Sequence, residues 1–134
     1  MIKAVIFDLD DTLISESEYI KSGFESVSKE ISNKYNLDYK DVVKKTNDLF
    51  SHSSKNVFNR VLQFFNINYS HDYILYLIEI YRNHDPKIKF FDDVIDTINY
   101  LKDINVKIGI ITDGYKESQR KKIQALKCND IFDK

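Results

Sequence analysis

The sequence is poor in the residues that build covalent or metal-clamped frameworks. Its one cysteine, Cys128, excludes an intrachain disulfide network and a cysteine-based zinc cluster. His52, His71 and His84 are scattered, without companions at ligand spacing, and are expected on the surface or half buried rather than in a metal site. No apolar run approaches the length of a membrane span, and no positively charged start precedes a signal-type apolar stretch. Charge of one sign is also missing: 20 Lys and Arg stand against 21 Asp and Glu, so no long-range field draws in nucleic acid or an anionic membrane. There is no internal repeat and no low-complexity linker. A soluble cytoplasmic protein without nucleic-acid or membrane partners is the expectation.

What is present fits a small globular chain. At 134 residues with 43% hydrophobic and 31% charged content, one modest core is the default. Ile2 to Phe7 form a short apolar run that reads as a strand buried on both faces, as in a parallel sheet, and it stops abruptly in acid. A second run, Val106 to Ile111, ends in Thr112, Asp113 and Gly114.

Between these runs the period is helical. Ile20, Phe24, Val27, Ile31 and Tyr35 form one apolar stripe. Val42, Thr46, Leu49 and Phe50 predict a second helix, Val57 to Phe65 a third, and Ile74, Leu77, Ile78 and Tyr81 a fourth. Asp38, Ser54 and Ser70 stand where N-caps belong. Asp85-Pro86-Lys87 breaks the helical run, because proline has no amide proton and disfavours helical geometry in the residue before it. Val94, Ile95, Ile98 and Leu101 predict a further helix, with Asn105 as the left-handed residue at its end. A last helix is expected from Tyr115 to about Leu126, with Arg120, Lys121 and Lys122 on its wet side.

Strand, helical insert, helix, strand and helix make a βαβ unit with a right-handed crossover, in which ligands bind beyond the strand carboxyl ends. The two polar clusters should therefore meet in one crevice. A carboxylate attacks phosphorus only when charge repulsion is cancelled, as a divalent cation between Asp8 and a phosphate would do. Asp10, two residues on, is placed to serve as general acid, and Thr12 to hold the turn by hydrogen bonding. Thr112 offers a hydroxyl, and Asp113 and Gly114 lead into backbone N–H groups at a helix start, a cradle for an anion. Lys116, Tyr19 and Tyr115 are further candidate substrate contacts. A solvated acidic turn is the plain alternative for Asp8, Asp10 and Asp11.

The segment Val5-Ile6-Phe7-Asp8-Leu9-Asp10-Asp11-Thr12-Leu13 resembles motif I of the haloacid dehalogenase-like hydrolases, and Leu101 to Lys122, with Thr112-Asp113-Gly114, Gln119 and Lys122, resembles motif II and its helix. The resemblance implies an α/β fold: an incomplete Rossmann-like parallel sheet, with strands at about 2–8 and 106–112 in a core of residues 1–14 and 88–134, and a helical cap over 15–87. It implies a Mg²⁺-dependent phosphatase of a small phosphorylated metabolite. Asp8 would form an aspartyl-phosphate, Asp10 would act as acid and then base, Thr112, Asp113 and Gly114 would hold the phosphate, and Asp8 and Asp10 would bind the metal. The family's motif III lysine and motif IV acids find no counterpart, and Lys134 comes too early to be that lysine. The chain is thus expected to be the front part of a longer or split phosphatase, or an incomplete binding module, with its open sheet edge covered by a partner chain or by self-association.

Overall fold

The computed structural model describes residues 1–133, so Lys134 lies outside the described residues. The order of elements is β1 (Ala4–Phe7), α1 (Glu16–Tyr35), α2 (Tyr39–His52), α3 (Val57–Phe64), α4 (His71–Asn83), α5 (Val94–Asp103), β2 (Lys107–Ile110) and α6 (Lys116–Ala125), followed by a single 3-10 turn at Cys128–Asp130. Two compact units result: residues 1–20 with 85 onward, and residues 21–84. The division falls inside α1 and just ahead of Pro86, whereas the sequence suggested breaks after residues 14 and 87.

In the helical unit the apolar stripes close on one another. Val27, Ile31, Val42, Val61, Leu62 and Leu77 are all but fully buried. The Phe24 ring meets those of Phe50, Phe58 and Tyr81 at centroid distances of 5.2, 6.1 and 5.8 Å, favourable for aromatic pairs. Gly23 permits this, since a Cβ there would overlap the Tyr81 ring. Asp38 caps α2 by accepting from the Lys40 and Asp41 amides, and Ser70 caps α4 by accepting from Tyr73 N–H. Ser54 does not cap α3. Asn56 precedes that helix at φ 51° without a side-chain cap. The loop ahead of it is pinned instead by the Arg60 guanidinium, which donates to the carbonyls of Leu49, Ser53 and Lys55. His84 is buried rather than at the surface.

Asparagine takes the turn role at several helix ends. Asn36, Asn66 and Asn105 have φ of 53°, 56° and 59°. Each is followed by an amide bonded to the carbonyl five residues back, namely Leu37 to Ser32, Ile67 to Leu62 and Val106 to Leu101. That is the Schellman closure, which satisfies helix-terminal carbonyls.

The other unit is α/β. β1 and β2 pair in parallel, with Val5 opposite Ile108 and Phe7 opposite Ile110. Phe7 and Ile110 pack against a core of Leu9, Leu13, Ile14, Val94, Ile98, Ile108, Leu126 and Cys128. The opposite face is bare: Ile6 is 56% and Ile111 71% exposed. Burial of β1 on both faces is therefore corrected, because helices α5 and α6 supply apolar residues to one core only. The strands are also shorter than the apolar runs that announced them. On the far edge of β2, Asp133 donates its amide to Ile108 O at 2.9 Å and accepts from Ile108 N–H at 2.8 Å through its carboxylate.

Candidate active site

Side-chain alternation along β1 continues two residues past the strand, to Leu9, and sets the site. Leu9 is fully buried, so the flanking Asp8 and Asp10 turn away from the core beneath it, Asp8 exposed and Asp10 half buried. Asp8 Oδ1 accepts the Leu9 amide at 2.8 Å, and Oδ2 has no hydrogen-bond partner among the described residues. The Leu9 carbonyl gathers the amides of Thr12, Leu13 and Ile14 in a tight turn. Asp11 completes that turn at φ 57°, its carboxylate accepting Glu16 N–H at 3.0 Å. The expected hydroxyl bond from Thr12 is not what holds the turn; Asp11 and the main chain do so.

The second cluster stands at the same end of the sheet, since Ile111 N–H bonds Phe7 O at 2.9 Å. Thr112 is half buried, and Gly114 has φ 129°, a conformation that favours glycine. Asp113 accepts the Gly114 amide at 2.8 Å. Among the described residues, the side chain of the N-cap residue, Tyr115, does not cap α6.

What joins the clusters was not expected. Gln119 Nε2 lies 3.0 Å from Asp10 Oδ2, 2.6 Å from Thr112 Oγ1 and 3.0 Å from the Asp113 carbonyl. Lys122, expected on the wet side of α6, is 4% exposed, and its Nζ donates to Asp10 Oδ1 at 2.8 Å. The reason is the helical period: Ser118, Gln119 and Lys122 share the buried face of α6. Lys121 turns outward to Asp85 and Arg120 to Glu117. The Lys122 ammonium also sits 4.2 Å from the centroid of the Tyr19 ring. Burial, set against a hydrogen bond with Ser118 and reinforced by the Asp10 charge, pushes the Tyr19 hydroxyl up from its ordinary range. Tyr19 is 4% exposed and belongs to this network rather than to an open substrate surface, whereas Tyr115 and Lys116 are exposed. Thr112, Gly114, Lys116, Gln119, Arg120 and Ile123 line an open cleft of about 570 Å³.

No group of three or more His, Cys, Asp or Glu side chains able to hold a metal is found among the described residues. Two oxygens nevertheless suit a hard cation. Asp8 Oδ2 is unpartnered, and the Asp10 carbonyl accepts no hydrogen bond among the described residues. Mg²⁺ typically takes one or two carboxylates and keeps several waters, so this pair fits it. The Asp10 carboxylate, filled by Gln119 and Lys122, would contribute through its main-chain carbonyl rather than its side chain.

The model of the family described as haloacid dehalogenase-like hydrolase matches residues 5–134. The chain belongs to the haloacid dehalogenase-like hydrolases. Among curated members, a glyceraldehyde 3-phosphate phosphatase of Methanocaldococcus jannaschii is 27% identical over 99% of this chain and 60% of its own length. A pyrophosphatase PpaX of Bacillus cereus is 27% identical over 98% of the chain and 57% of its own. A family hydrolase of Deinococcus radiodurans, solved with bound phosphate and sodium, matches 99% of this chain and 56% of its own at TM-score 0.55 and 16% identity. One from Entamoeba histolytica matches 98% and 58% at TM-score 0.52 and 22% identity. These structures share the haloacid dehalogenase-like fold. The chain spans about three fifths of the length of these relatives. No helix among the described residues is long and apolar enough to cross a membrane.

Proposed function

We propose that this chain carries the phosphoryl-transfer site of a Mg²⁺-dependent phosphatase acting on a small phosphorylated metabolite in the cytoplasm. The observation that carries this reading is the junction of the two strand-end clusters, where Gln119 touches both Asp10 and Thr112. The names of the curated relatives, phosphatases of a triose phosphate and of pyrophosphate, support it.

In this mechanism one carboxylate oxygen of Asp8 attacks phosphorus, and the bond from phosphorus to the leaving oxygen breaks. Asp10 delivers a proton to that oxygen, and Asp8 is left as an aspartyl-phosphate. Asp10 then takes a proton from water, which attacks the phosphorus, releasing inorganic phosphate and restoring Asp8. The Thr112 hydroxyl and main-chain amides at the start of α6 donate to the phosphate oxygens. Mg²⁺, held by Asp8 and the Asp10 carbonyl, would supply charge neutralisation between nucleophile and phosphate.

The test is hydrolysis of p-nitrophenyl phosphate with and without Mg²⁺, by the parent and by Asp8→Asn. We expect magnesium-dependent turnover that falls by about a thousandfold or more in the variant, the scale on which losing a nucleophile acts. Absence of turnover in both would overturn the enzyme reading and favour a module that binds without turnover.

A further inference from the structure

We propose that Gln119 and Lys122 are positioning residues, and that the Gln119 amide makes one rigid unit of the proton-transferring Asp10 and the phosphate-binding Thr112. The inference rests on the phosphatase reading and adds two residues to its site.

The orientation of the amide follows from its neighbours. A carboxylate oxygen and a carbonyl oxygen can only accept, so the group facing Asp10 Oδ2 and Asp113 O must be the NH₂. That NH₂ has two protons for three acceptors, the shortest contact being 2.6 Å to Thr112 Oγ1. A Thr112 hydroxyl that accepts from Gln119 keeps its own proton to give elsewhere. A phosphate oxygen at the strand end is such an acceptor. The same amide takes Asp10 Oδ2, and Lys122 takes Oδ1, so rotation of the Asp10 carboxylate breaks one of these bonds. Lys122 is 4% exposed, its charge answered by Asp10 and by the Tyr19 ring. Burying such a charge is costly unless its partner stays in place, which makes the lysine a fixed strut for Asp10.

Gln119 crosses what the chain keeps far apart, residues 10 and 112, and does so from a buried helix face rather than from either loop. A structural ion pair between Lys122 and Asp10 alone would not need the glutamine, and would not touch the threonine.

The experiment uses Gln119→Met, which keeps the length and removes the donors, with Lys122→Met and Lys122→Arg alongside. Turnover of p-nitrophenyl phosphate, competitive inhibition by inorganic phosphate, and thermal midpoints are measured for each. For Gln119→Met we expect kcat to fall ten- to a hundredfold and phosphate to bind several-fold more weakly, with the midpoint unchanged. For Lys122→Met we expect a similar loss in kcat with little change in phosphate affinity, partly restored in Lys122→Arg. In an Asp10→Asn background the Lys122→Met change should cost nothing further, because a strut without its load has no effect. Unchanged kcat and phosphate affinity in Gln119→Met, with the parent active, would overturn the inference and leave the phosphatase reading standing. A readout independent of turnover is the NMR signal of the Lys122 ammonium and the Gln119 amide, both expected to shift in Asp10→Asn. Shifts without any turnover in the parent would overturn the phosphatase reading, and with it the catalytic use of this linkage. No shift would overturn the linkage itself.

Discussion

The helical unit and the α/β unit use similar residues to opposite effect. Helices bond their own backbones, so α1 to α4 need only bury their apolar stripes, and Val61, Leu62 and Leu77 reach full burial. Strands leave all their backbone groups to neighbours, and two of them cannot enclose a core on both faces. Hence Ile6 and Ile111, apolar like Leu62, stand 56% and 71% exposed. The candidate site residues lie in the less enclosed unit. A pair of strand ends, rather than a packed bundle, is what aims two loops at one point.

The largest effect that would sharpen this contrast is truncation in the helical unit. Leu62→Ala should lower stability by about 2–5 kcal/mol, the range for emptying a closed core, as read by urea unfolding. A cost under about 1 kcal/mol would mean that the bundle is looser than its burial indicates.

Alkaline titration separates the units next. Burial raises the Cys128 thiol from its ordinary 9.0 to about 11, and burial pushes the Tyr73 hydroxyl well above its ordinary range. A folded-state pKa above the unfolded one means that the folded protein holds the proton more tightly. Its stabilisation is present in full below pH 9 and lost as pH rises through about 11. The thiol should contribute on the order of 3 kcal/mol. Thermal midpoints should therefore decline from pH 9 upward, with the α/β unit affected first and the tyrosine of the helical unit later. A flat profile between pH 8 and 11 would contradict the burial of Cys128.

The smallest effect is the most pointed. Ile6→Thr should change stability by no more than about 0.5 kcal/mol, because the side chain is mostly in water and threonine keeps the β-branch. A loss of several times that would show that another surface covers the bare face in solution, and the contrast between the units would then be one of partners rather than of fold.

Much of the fold was legible because its signals are local. The stripe from Ile20 to Tyr35, the caps at Asp38 and Ser70, and the left-handed Asn105 each follow from a few neighbouring residues. Ser54 misled, since what fixes that loop is Arg60, several positions on, reaching back to three carbonyls. The acids after β1 and the threonine after β2 were expected at one end of the sheet, and Gln119 touches both clusters. Gln119 and Lys122 entered only through the resemblance to motif II and its helix, with no role, although their spacing of three puts them on one helix face with Ser118. Polar residues on a weakly apolar helix read as wet until the carboxylate that receives them is known. That carboxylate lies 112 residues from Lys122 in the chain.

The pairing of Phe7 with Ile110 has a consequence for synthesis as well as for structure. About 100 residues separate the partners, and ribosomes add on the order of 5–20 residues per second. The first strand therefore waits roughly 5–20 s for its neighbour, while residues 21–84, whose core is internal, emerge in between and can already pack. During that wait Ala4–Phe7 is a naked apolar edge. Its length of 4 residues offers few rungs to a stray strand, which keeps the exposure tolerable until the second half of the sheet arrives.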